Sequence, residues 1–520
     1  MAENNSKANA VHIIGKIKNL DTGKRLVRFS VSDGKDCTIA TVSREEFFAN
    51  KNVLNSYGAV VGTFKDISAS LQEEEQQLNF EYIFNNLGWS FQGGRHVFKG
   101  YKLFGKERLC AKYNGSLHIQ PKGSFEAWRS GILQFAMPQV PLQTAIAVGA
   151  SALLEGMLAD ELDSSFILHL MGESSKGKTT FAKLALSVAC SPQPIKGNSF
   201  FCDWNSTNNY KLSLLKNNYG FPVVFDEISQ AKTKTLTDFV YDVANRQERG
   251  RLNSDSSQKE VATWSTTVIS TGEESLLGKC NNNNGLLVRV LELEFEQITA
   301  DARSAEALMS VIINNYGQAY PKILEYFFED DNRIAEIRQR FLDKRAQLSE
   351  EFGAENALAN RLMKHIAIIL LSAEICGEVL DLDFDIEAIK QELFRAVREQ
   401  NRAFHPDETL AVLSFLNETY LANTGRFTEI NLGRTEFPKI LSKNAIGYVE
   451  YKTDGITLFF IPKEFEKVIF NCSVNNKTKA LKLLKKGGYL QYERDRLTKK
   501  RTFNGTPQRL YEIFIPESAV

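Results

Sequence analysis

The sequence predicts a multidomain α/β protein, and three observations lead to this prediction. With 520 residues, the chain is long enough for about three or four domains of ordinary size. Strand-like and helix-like segments alternate between about residues 160 and 300, which is typical of a parallel sheet with helices on its faces. A glycine-rich segment that matches the pattern GxxxxGK[ST] stands between one of these strands and the next helix.

The composition places few limits on function but excludes several classes. The hydrophobic share of 43 % and the charged share of 24 % are close to the averages for globular proteins. Seven cysteines are scattered without a CxxC pair, which indicates reduced thiols and not a zinc or disulfide framework. The apolar stretches are shorter than the ~20 residues of a membrane span. We therefore expect a soluble, cytoplasmic protein with no membrane partner.

The order of these patterns along the chain predicts four parts. Residues 1–120 look rich in strands and are expected to form an accessory β domain, with the acidic segment Leu71–Gln77 as a surface connector. Residues 121–300 hold the α/β core behind a helical lead-in, and residues 301–404 look helical throughout. Residues 405–520 close the chain as a smaller, basic unit.

The glycine-rich segment carries the clearest chemistry. An apolar strand, Phe166–Met171, runs into Gly172–Thr179, and a helix leaves it. Such a loop wraps closely around phosphates, whose charge meets backbone N–H groups and the helix N-terminus. The lysine then reaches the β and γ phosphates and the threonine hydroxyl holds Mg²⁺, which predicts ATP and Mg²⁺ as cofactors. The predicted cofactor contacts are Gly172, Ser174, Ser175, Lys176, Gly177, Lys178, Thr179 and Thr180.

Two further strands are expected to end beside this loop. The apolar run Phe221–Phe225 is followed by Asp226, predicted to support Mg²⁺, and by Glu227, predicted to polarise the attacking water. The next strand, Trp264–Thr271, ends in hydroxyls that can sense the γ-phosphate. Thr271 is our choice and Ser270 is the alternative, while an ordinary β-branched strand remains the other interpretation.

Arginines and lysines suggest contacts with a neighbouring subunit and with DNA. Arg289 begins the last strand of the core, where an arginine donated to an adjacent subunit stabilises the charge on a transferring phosphoryl group. A hairpin is predicted over residues 249–262, and a solvated surface hairpin is the alternative to a DNA contact. The hairpin residues predicted to contact phosphate are Arg249, Arg251 and Lys259.

The C-terminal unit concentrates positive charge. Residues 475–510 hold eleven basic side chains against two acidic ones in a chain of zero net charge. A basic helix followed by two strands is the order of a winged helix, whose cationic face attracts phosphates. A protein-binding winged helix with a solvated lysine-rich helix is the alternative. The predicted DNA contacts here are Lys482, Lys485, Lys486, Lys499, Lys500 and Arg501.

The stretch from about Asn86 to Phe295 resembles a family of AAA+ ATPases of phages and mobile genetic elements. That family was long catalogued only as a domain of unknown function and is similar to MCM-type replicative helicases. The segments that carry the resemblance are Leu87–Trp89, Gly123–Trp128, Gly172–Thr180, Asp203–Thr207, Phe225–Ile228, Val240–Asn245 and Ile269–Glu273. In addition, Leu286–Leu291 looks like the MCM segment with the arginine finger, and Asn360–Lys364 looks like the lid segment with the sensor 2 arginine.

The resemblance implies an AAA+ P-loop core with a helical lid, and a hexameric ring with single-stranded or forked DNA in its centre. It implies an ATP site shared between subunits, with Lys178, Thr179, Asp226, Glu227, Thr271, Arg289 and Arg361 as its residues. Two segments depart from the pattern. MCM proteins carry an asparagine as first sensor where this chain has Ser270 and Thr271, and Gln247–Gly250 replaces the usual Gly-Lys before the hairpin arginine.

The hypothesis from the sequence is therefore an ATP-dependent hexameric DNA helicase or translocase that replicates a mobile genetic element together with other replication proteins. One alternative is an AAA+ ATPase that loads or remodels such proteins without unwinding DNA. Another is an origin-binding initiator whose assembly is switched by nucleotide.

Overall fold

The computed structural model describes residues 10–32, 36–49, 51–59, 64–106, 109–195, 197–231, 233–250, 261–280, 285–353, 357–404, 408–430, 444–472, 474–494, 496–503 and 506–516. The chain forms two compact units, Met1–Val397 and Arg398–Val520. Both units combine strands and helices, which confirms the prediction of a mixed α/β multidomain protein.

The first unit opens with a five-stranded sheet covered on one face by helices. Its strands are β1 (Ala10–Asn19), β2 (Arg25–Ser32), β3 (Cys37–Ser43), β4 (Phe80–Phe84) and β8 (Ala111–Tyr113) in the order β3-β2-β1-β4-β8. Between β3 and β4 lie α1 (Arg44–Ala49), α2 (Lys51–Ser56) and α3 (Phe64–Gln77). The segment 71–77, predicted as a connector, belongs to α3, because Leu71 at its start packs into the buried apolar cluster of this sheet.

A second, small sheet follows, and the helical lead-in comes after it. The sheet consists of β5 (Leu87–Gln92), β6 (Arg95–Lys99), β7 (Leu103–Phe104) and, from later in the chain, β11 (Asn218–Tyr219). The lead-in helices are α4 (Phe125–Phe135), whose N-cap Ser124 accepts a hydrogen bond from the Ala127 N–H, and α5 (Val140–Met157). By length and composition α5 is apolar enough to span a membrane, and 89 % of it is buried inside the protein.

The centre of the first unit is a parallel five-stranded sheet. Its strands are β9 (Ile167–Met171), β10 (Phe201–Asp203), β12 (Val223–Asp226), β13 (Val268–Thr271) and β14 (Val290–Glu294), in the order β10-β12-β13-β9-β14. All four neighbouring pairs are parallel, so the carboxyl ends of the five strands meet at one edge. The predicted strand over residues 264–271 is shorter than expected, since regular pairing begins only at Val268.

Helices cover this sheet and continue beyond it. The helices of the core are α6 (Lys178–Ser187), α7 (Asn208–Leu215), α8 (Thr233–Asn245) and α9 (Leu276–Lys279). A helical region follows, with α10 (Ala302–Asn314), α11 (Ala319–Glu329), α12 (Arg333–Phe352), α13 (Ala357–Leu380) and α14 (Ile386–Phe404). At Gly149 of α5, an added Cβ would lie 2.1 Å from the Ala185 carbonyl oxygen of α6. Glycine is therefore needed for these two backbones to approach so closely.

Among its described residues, the second unit contains the last residues of α14 and packs three further helices against one sheet. These helices are α15 (Glu408–Ala422), α16 (Pro462–Phe470) and α17 (Lys477–Lys486). The sheet contains β15 (Phe427–Glu429), β16 (Gly447–Lys452), β17 (Gly455–Phe460), β18 (Leu490–Gln491), β19 (Lys499–Phe503) and β20 (Thr506–Pro516), in the order β15-β16-β17-β20-β18 with β19 paired to β20. Leu416, Phe465 and Leu484 bring the three helices into one buried cluster with the sheet.

Candidate functional site

The loop between β9 and α6 is shaped by backbone conformations that favour glycine. Gly172 has φ 137° and Gly177 has φ 97°, while Ser175 adopts φ 64°. An added Cβ at Gly177 would lie 3.2 Å from the Ile298 Cβ, so the loop closes tightly at this point. Gly177 is also the N-cap of α6. The free N–H groups of the first turn, with the positive end of the helix dipole, therefore stand at the end of the loop.

Lys178 folds back over this loop. Its side chain is buried, and its Nζ donates to the carbonyl oxygens of Gly172 at 2.7 Å and Glu173 at 2.6 Å. The ammonium group is therefore held against the backbone carbonyl groups at the start of the loop. Ser174, Ser175 and Thr179 are exposed, and Lys176, Gly177 and Thr180 are half-buried.

Asp226 and Glu227, at the carboxyl end of β12, come close to this loop. The Thr179 hydroxyl lies 3.5 Å from the Asp226 Oδ1, and Asp203 pairs with Asp226 in the strand register. Burial raises the pKa of Asp226, the hydrogen bond from Thr271 lowers it, and the neighbouring charges of Asp203 and Glu227 raise it again. A cation at this edge would offset the repulsion among the carboxylates.

Thr271 connects the two acidic residues. The strand β13 lies between β9 and β12, so its last residue falls between the loop and the carboxylates. The Thr271 hydroxyl donates to the Asp226 Oδ1 and accepts from the Glu227 N–H at 3.1 Å. Glu227 itself has φ 65°, and the Ser229 hydroxyl donates to its Oε1 at 2.6 Å. The Glu227 carboxylate is thus held in one direction at a strained backbone position.

Ser270, the alternative to Thr271, is used inside the protein. It is fully buried, accepts a 2.9 Å hydrogen bond from the Trp204 Nε1, and lies 2.9 Å from the His169 Nδ1. The other ring nitrogen of His169 contacts the Glu274 carbonyl oxygen at 2.9 Å. Burial lowers the pKa of His169 to about 4, so the ring is neutral at physiological pH. Its two partners lie within the protein and not in the loop.

Trp204 and Lys211 pack next to the site, and neither was assigned a role from the sequence. Lys211 is buried, and its Nζ lies 4.4 Å from the ring centre of Trp204 and 4.7 Å from that of Phe239. Burial lowers the pKa of this ammonium group to about 8. Trp204 therefore joins α7 to α8 through Lys211 and Phe239, and to β13 through Ser270. The Asp203–Thr207 segment, which contains Trp204, carries part of the family resemblance, but nothing in the sequence predicted this cluster.

Arg289 and Arg361 lie away from the loop of their own chain. The Ile167 N–H donates to the Arg289 carbonyl oxygen at 2.8 Å, which places Arg289 in the turn at the amino end of β14, beside the start of β9. Arg361 is an exposed residue of α13, and Lys364, one turn further, donates to the Ser164 hydroxyl at 2.8 Å. Since β9 is roughly 15 Å long, the backbones of both arginines lie toward the sheet edge opposite the loop. The Arg289 guanidinium donates to the Gly285 carbonyl oxygen at 2.6 Å and lies over the Tyr241 ring at 4.8 Å.

The DNA contacts predicted for the hairpin have two outcomes. Arg251 and Lys259 lie outside the described residues. Arg249 pairs with Asp238 and Asp242 of α8, each at 3.2 Å, so its charge is already balanced within the protein.

In the C-terminal unit, Arg501 is balanced in the same way. Its guanidinium binds both carboxylate oxygens of the nearly buried Glu512, which also lies 3.9 Å from the Lys499 Nζ. Lys482, Lys486 and Lys500 are exposed and form no ion pair among the residues that the structure describes, whereas the Lys485 Nζ lies over the Tyr492 ring at 4.2 Å. This leaves Lys482, Lys486 and Lys500 as the better placed of the six to meet phosphate.

The residues at the loop fit a nucleotide with Mg²⁺. The loop offers N–H groups and an ammonium group to phosphates, and Thr179 and Asp226 offer two oxygens to a cation. Mg²⁺ in nucleotide sites is commonly bound by one or two carboxylates together with phosphates and water. In the described part of the chain, no group of three or more His, Cys, Asp or Glu side chains has the arrangement of a metal site.

Comparisons with known proteins concern both units. A family model described as "Domain of unknown function (DUF927)" matches residues 3–263, half of the chain, and one described as "Cch helix turn helix domain" matches residues 411–518. No curated protein matches the chain.

Two solved structures give different degrees of likeness. The structure titled "SCCmec type IV Cch - active helicase" has a TM-score of 0.70 and 23 % identity, over 98 % of this chain and 94 % of that chain. It therefore has the same fold as this chain. The apo structure of the NrS-1 C-terminal region reaches a TM-score of 0.26 with 12 % identity, over 75 % and 92 % of the two chains, which is too low to support an argument. The helix pair α16 and α17 falls within the second family match, so the chain carries a C-terminal helix–turn–helix domain, and by the first match it belongs to the DUF927 family.

Proposed function

We propose that this protein is an ATP-dependent DNA helicase or translocase of a mobile genetic element, built on an AAA+ P-loop core similar to that of MCM-type helicases. The observation that carries the proposal is the meeting of Lys178, Thr179, Asp226, Glu227 and Thr271 at the carboxyl edge of one parallel sheet. Ligands bind at this edge in open α/β sheets. The shared fold with a structure titled as an active helicase supports the choice of reaction.

The side chains of the site divide the work of hydrolysis among them. ATP with Mg²⁺ supplies the phosphoryl group and the cation that neutralises its charge. Lys178 and the first turn of α6 bind the phosphates, and Thr179 with Asp226 holds the cation. Glu227, aimed by Ser229, orients the attacking water and accepts its proton. Thr271 is hydrogen-bonded to both Asp226 and Glu227, so loss of the γ-phosphate would alter the positions of both carboxylates together.

The position of two arginines favours a ring of subunits. Arg289 and Arg361 lie toward the edge opposite the loop of their own chain, so a role in phosphoryl transfer would be played at the site of a neighbouring subunit. A head-to-tail contact that closes on itself produces a ring, and a hexamer is the form that the family resemblance implies. The arginines then stabilise the charge on the phosphoryl group during its transfer.

The C-terminal unit is proposed to bind DNA as a winged helix. In this arrangement α17 is the second helix of the helix–turn–helix, and the β19–β20 hairpin is the wing. Exposed Lys482 and Lys486 on the helix and Lys500 on the wing supply charge for phosphates. The unit would help to load the ring on DNA in the cytoplasm, together with other replication proteins.

A strand-displacement assay on forked DNA tests this proposal against its alternatives. We expect unwinding that needs hydrolysable ATP and that Lys178→Ala abolishes, whereas Lys322→Ala, which removes an exposed lysine of α11, serves as the control. ATP turnover without unwinding would favour a loader or remodelling ATPase. Tight sequence-specific binding with negligible turnover would favour an origin-binding initiator.

A further inference from the structure

The β1–β2–β4 end of the N-terminal sheet carries aromatic and basic side chains on one face. Lys16 pairs with Phe80 and Lys18 with Tyr82 across the parallel strands β1 and β4, while Lys18 faces Arg25 across β1 and β2. Residues directly opposite each other in a sheet point to the same face. These five residues, Lys16, Lys18, Arg25, Phe80 and Tyr82, form what we call the Phe80 face. It lies at the β1–β2 turn end of the helix-covered side of the sheet, because Lys16 also pairs with the buried Val27.

The two rings of the Phe80 face lie side by side, and two cationic groups lie close to the Phe80 ring. Their centres are 6.0 Å apart, and both rings are half-buried, so part of each remains open to solvent. The Lys16 Nζ lies 4.5 Å from the centre of the Phe80 ring, and the Arg25 guanidinium lies 5.6 Å from it. Lys18 and Arg25 are exposed. The face therefore combines flat apolar surfaces with three cations.

The charge of this face is not balanced within the described part of the chain. Other cations of the same region have acidic partners: Arg28 pairs with Glu81 at 3.0 Å, Arg44 with Glu75 at 2.8 Å, and Lys99 with Asp21 at 2.7 Å. No carboxylate pairs with Lys16, Lys18 or Arg25 among the residues that the structure describes. A local positive potential in a protein of zero net charge points to an anionic ligand.

We propose that the Phe80 face binds single-stranded DNA. Proteins that bind single strands combine a cationic track for the backbone with aromatic rings on which successive bases stack. A duplex does not fit this surface as well, because its bases are already stacked inside it. The face lies in the N-terminal sheet and includes none of the nucleotide-site residues, so this inference does not depend on ATP hydrolysis.

The test measures binding of a fluorescent oligo-dT to the full-length protein without nucleotide, by anisotropy at several salt concentrations. Lys18→Glu is expected to weaken binding about tenfold and to reduce the salt slope by about 0.7 for each phosphate that the protein no longer neutralises. Tyr82→Leu, which keeps an apolar side chain but removes the ring, is expected to weaken binding about fivefold or more. Thermal unfolding checks that both variants remain folded.

Lys112→Glu is the matched control, because Lys112 is exposed on β8 of the same sheet and pairs with Ile83, on the opposite face. We expect it to bind within about twofold of the unaltered protein, since it lies off the proposed path. Equal weakening by Lys18→Glu and Lys112→Glu would overturn the proposal. Oligo-U bound in place of oligo-dT would overturn the assignment to DNA.

Photo-crosslinking locates the site independently of affinity. An oligo-dT that carries 5-iododeoxyuridine should crosslink to the peptide that contains Phe80 and Tyr82, and crosslinks found only elsewhere would reject the Phe80 face. ATP turnover without DNA is measured on the same samples. If Lys178→Ala loses turnover but still binds oligo-dT, the proposed ATPase site and the Phe80 face are separate sites. If turnover survives in Lys178→Ala, the ATPase site assignment is wrong, and the proposal for the Phe80 face is unaffected.

Discussion

The Ile167 backbone N–H donates a 2.8 Å hydrogen bond to the Arg289 carbonyl oxygen, at the sheet edge farthest from the loop between β9 and α6. Ile167 begins the strand that ends at this loop, so one strand length separates Arg289 from the loop of its own chain. In the proposed ring, each subunit binds the phosphates of a nucleotide at one edge of its sheet and presents an arginine to the neighbouring subunit from the opposite edge. The separation of Arg289 from its own loop fits this arrangement.

The first prediction concerns the direction of the Glu227 carboxylate. Glu227→Gln keeps the size of the side chain and its contact with Ser229 but removes the base that accepts a proton from water. ATP turnover should fall by at least about 100-fold, while nucleotide binding, measured by calorimetry, should change little. Ser229→Ala leaves the carboxylate in place and should have a smaller effect. Turnover close to normal in Glu227→Gln would exclude this residue as the base.

The second prediction separates Thr271 from Ser270, its neighbour in β13. Thr271→Val has nearly the same shape but cannot form the hydrogen bonds to Asp226 and Glu227. Turnover should fall about tenfold or more, because Asp226 and Glu227 lose the contacts that orient them, and a hydrogen bond to a charged group contributes about 1.5–3 kcal/mol. Thr271→Ser should restore most of it, since the hydroxyl returns.

Ser270→Ala is the comparison for this experiment. It removes the partner of Trp204 and His169, so we expect a decrease of about 1–3 kcal/mol in the free energy of unfolding with turnover much less affected. Urea unfolding and steady-state ATP turnover, measured on both variants, check the two effects. A larger drop in turnover in Ser270→Ala than in Thr271→Val would reverse the assignment.

The third prediction concerns a carboxylate far from the loop. Glu155 in α5 is fully buried, and its Oε2 accepts a 3.0 Å hydrogen bond from Thr267. Burial raises the pKa of Glu155 to about 7, although the hydrogen bond from Thr267 and the charges of Arg246 and Lys364 lower it. Because the folded protein holds this proton more tightly than the unfolded chain does, the stability from Glu155 is full below pH ~4.5 and is lost as pH rises through about 7.

Glu155→Gln removes this titration while keeping the shape of the side chain. The variant should gain stability relative to the unaltered protein above pH 7, by on the order of 3 kcal/mol, and should show little gain at pH 5. Urea unfolding at pH 5 and pH 8.5 measures the difference. A difference that does not depend on pH would contradict the raised pKa.

The fourth prediction divides the basic residues of the C-terminal unit. Lys486→Ala and Lys500→Ala each remove an exposed charge and should weaken DNA binding by similar amounts across sequences, while reducing its salt dependence. Arg501→Ala instead leaves the nearly buried Glu512 without its main partner. It should lower the stability of the unit by about 3 kcal/mol or more. Electrophoretic mobility shifts and thermal unfolding distinguish the two outcomes.

The sequence predicted the strand–loop–helix well because Gly172 and Gly177 need backbone conformations that few other residues adopt, and because an apolar strand precedes them. Thr271 could be named as the end of a strand next to the loop, but its contacts with Asp226 and Glu227 depend on β13 lying between β9 and β12. Strand order is a property of tertiary packing and leaves no local signal.

Other features could not be predicted from the sequence because they, too, depend on tertiary packing. Leu71–Gln77 was predicted as a connector and not as part of a helix, because the segment is mostly charged and polar. Its one apolar contact with the sheet core, that of Leu71, cannot be recognised from the sequence. Arg501 and Glu512, which lie eleven positions apart in the sequence, pair across the neighbouring strands β19 and β20, and charge counting alone cannot separate a paired arginine from a free one. Lys211 between two aromatic rings likewise appears only once α7 and α8 are packed together.

The most direct test of the shared nucleotide site mixes two inactive variants. Lys178→Ala removes the phosphate contact of its own loop, and Arg289→Ala removes the arginine offered to the neighbour. In mixed rings about a quarter of the interfaces combine an intact loop with an intact arginine. We expect ATP turnover, absent in each variant alone, to reappear on mixing. Turnover that stays absent in verified mixed rings would refute the shared site.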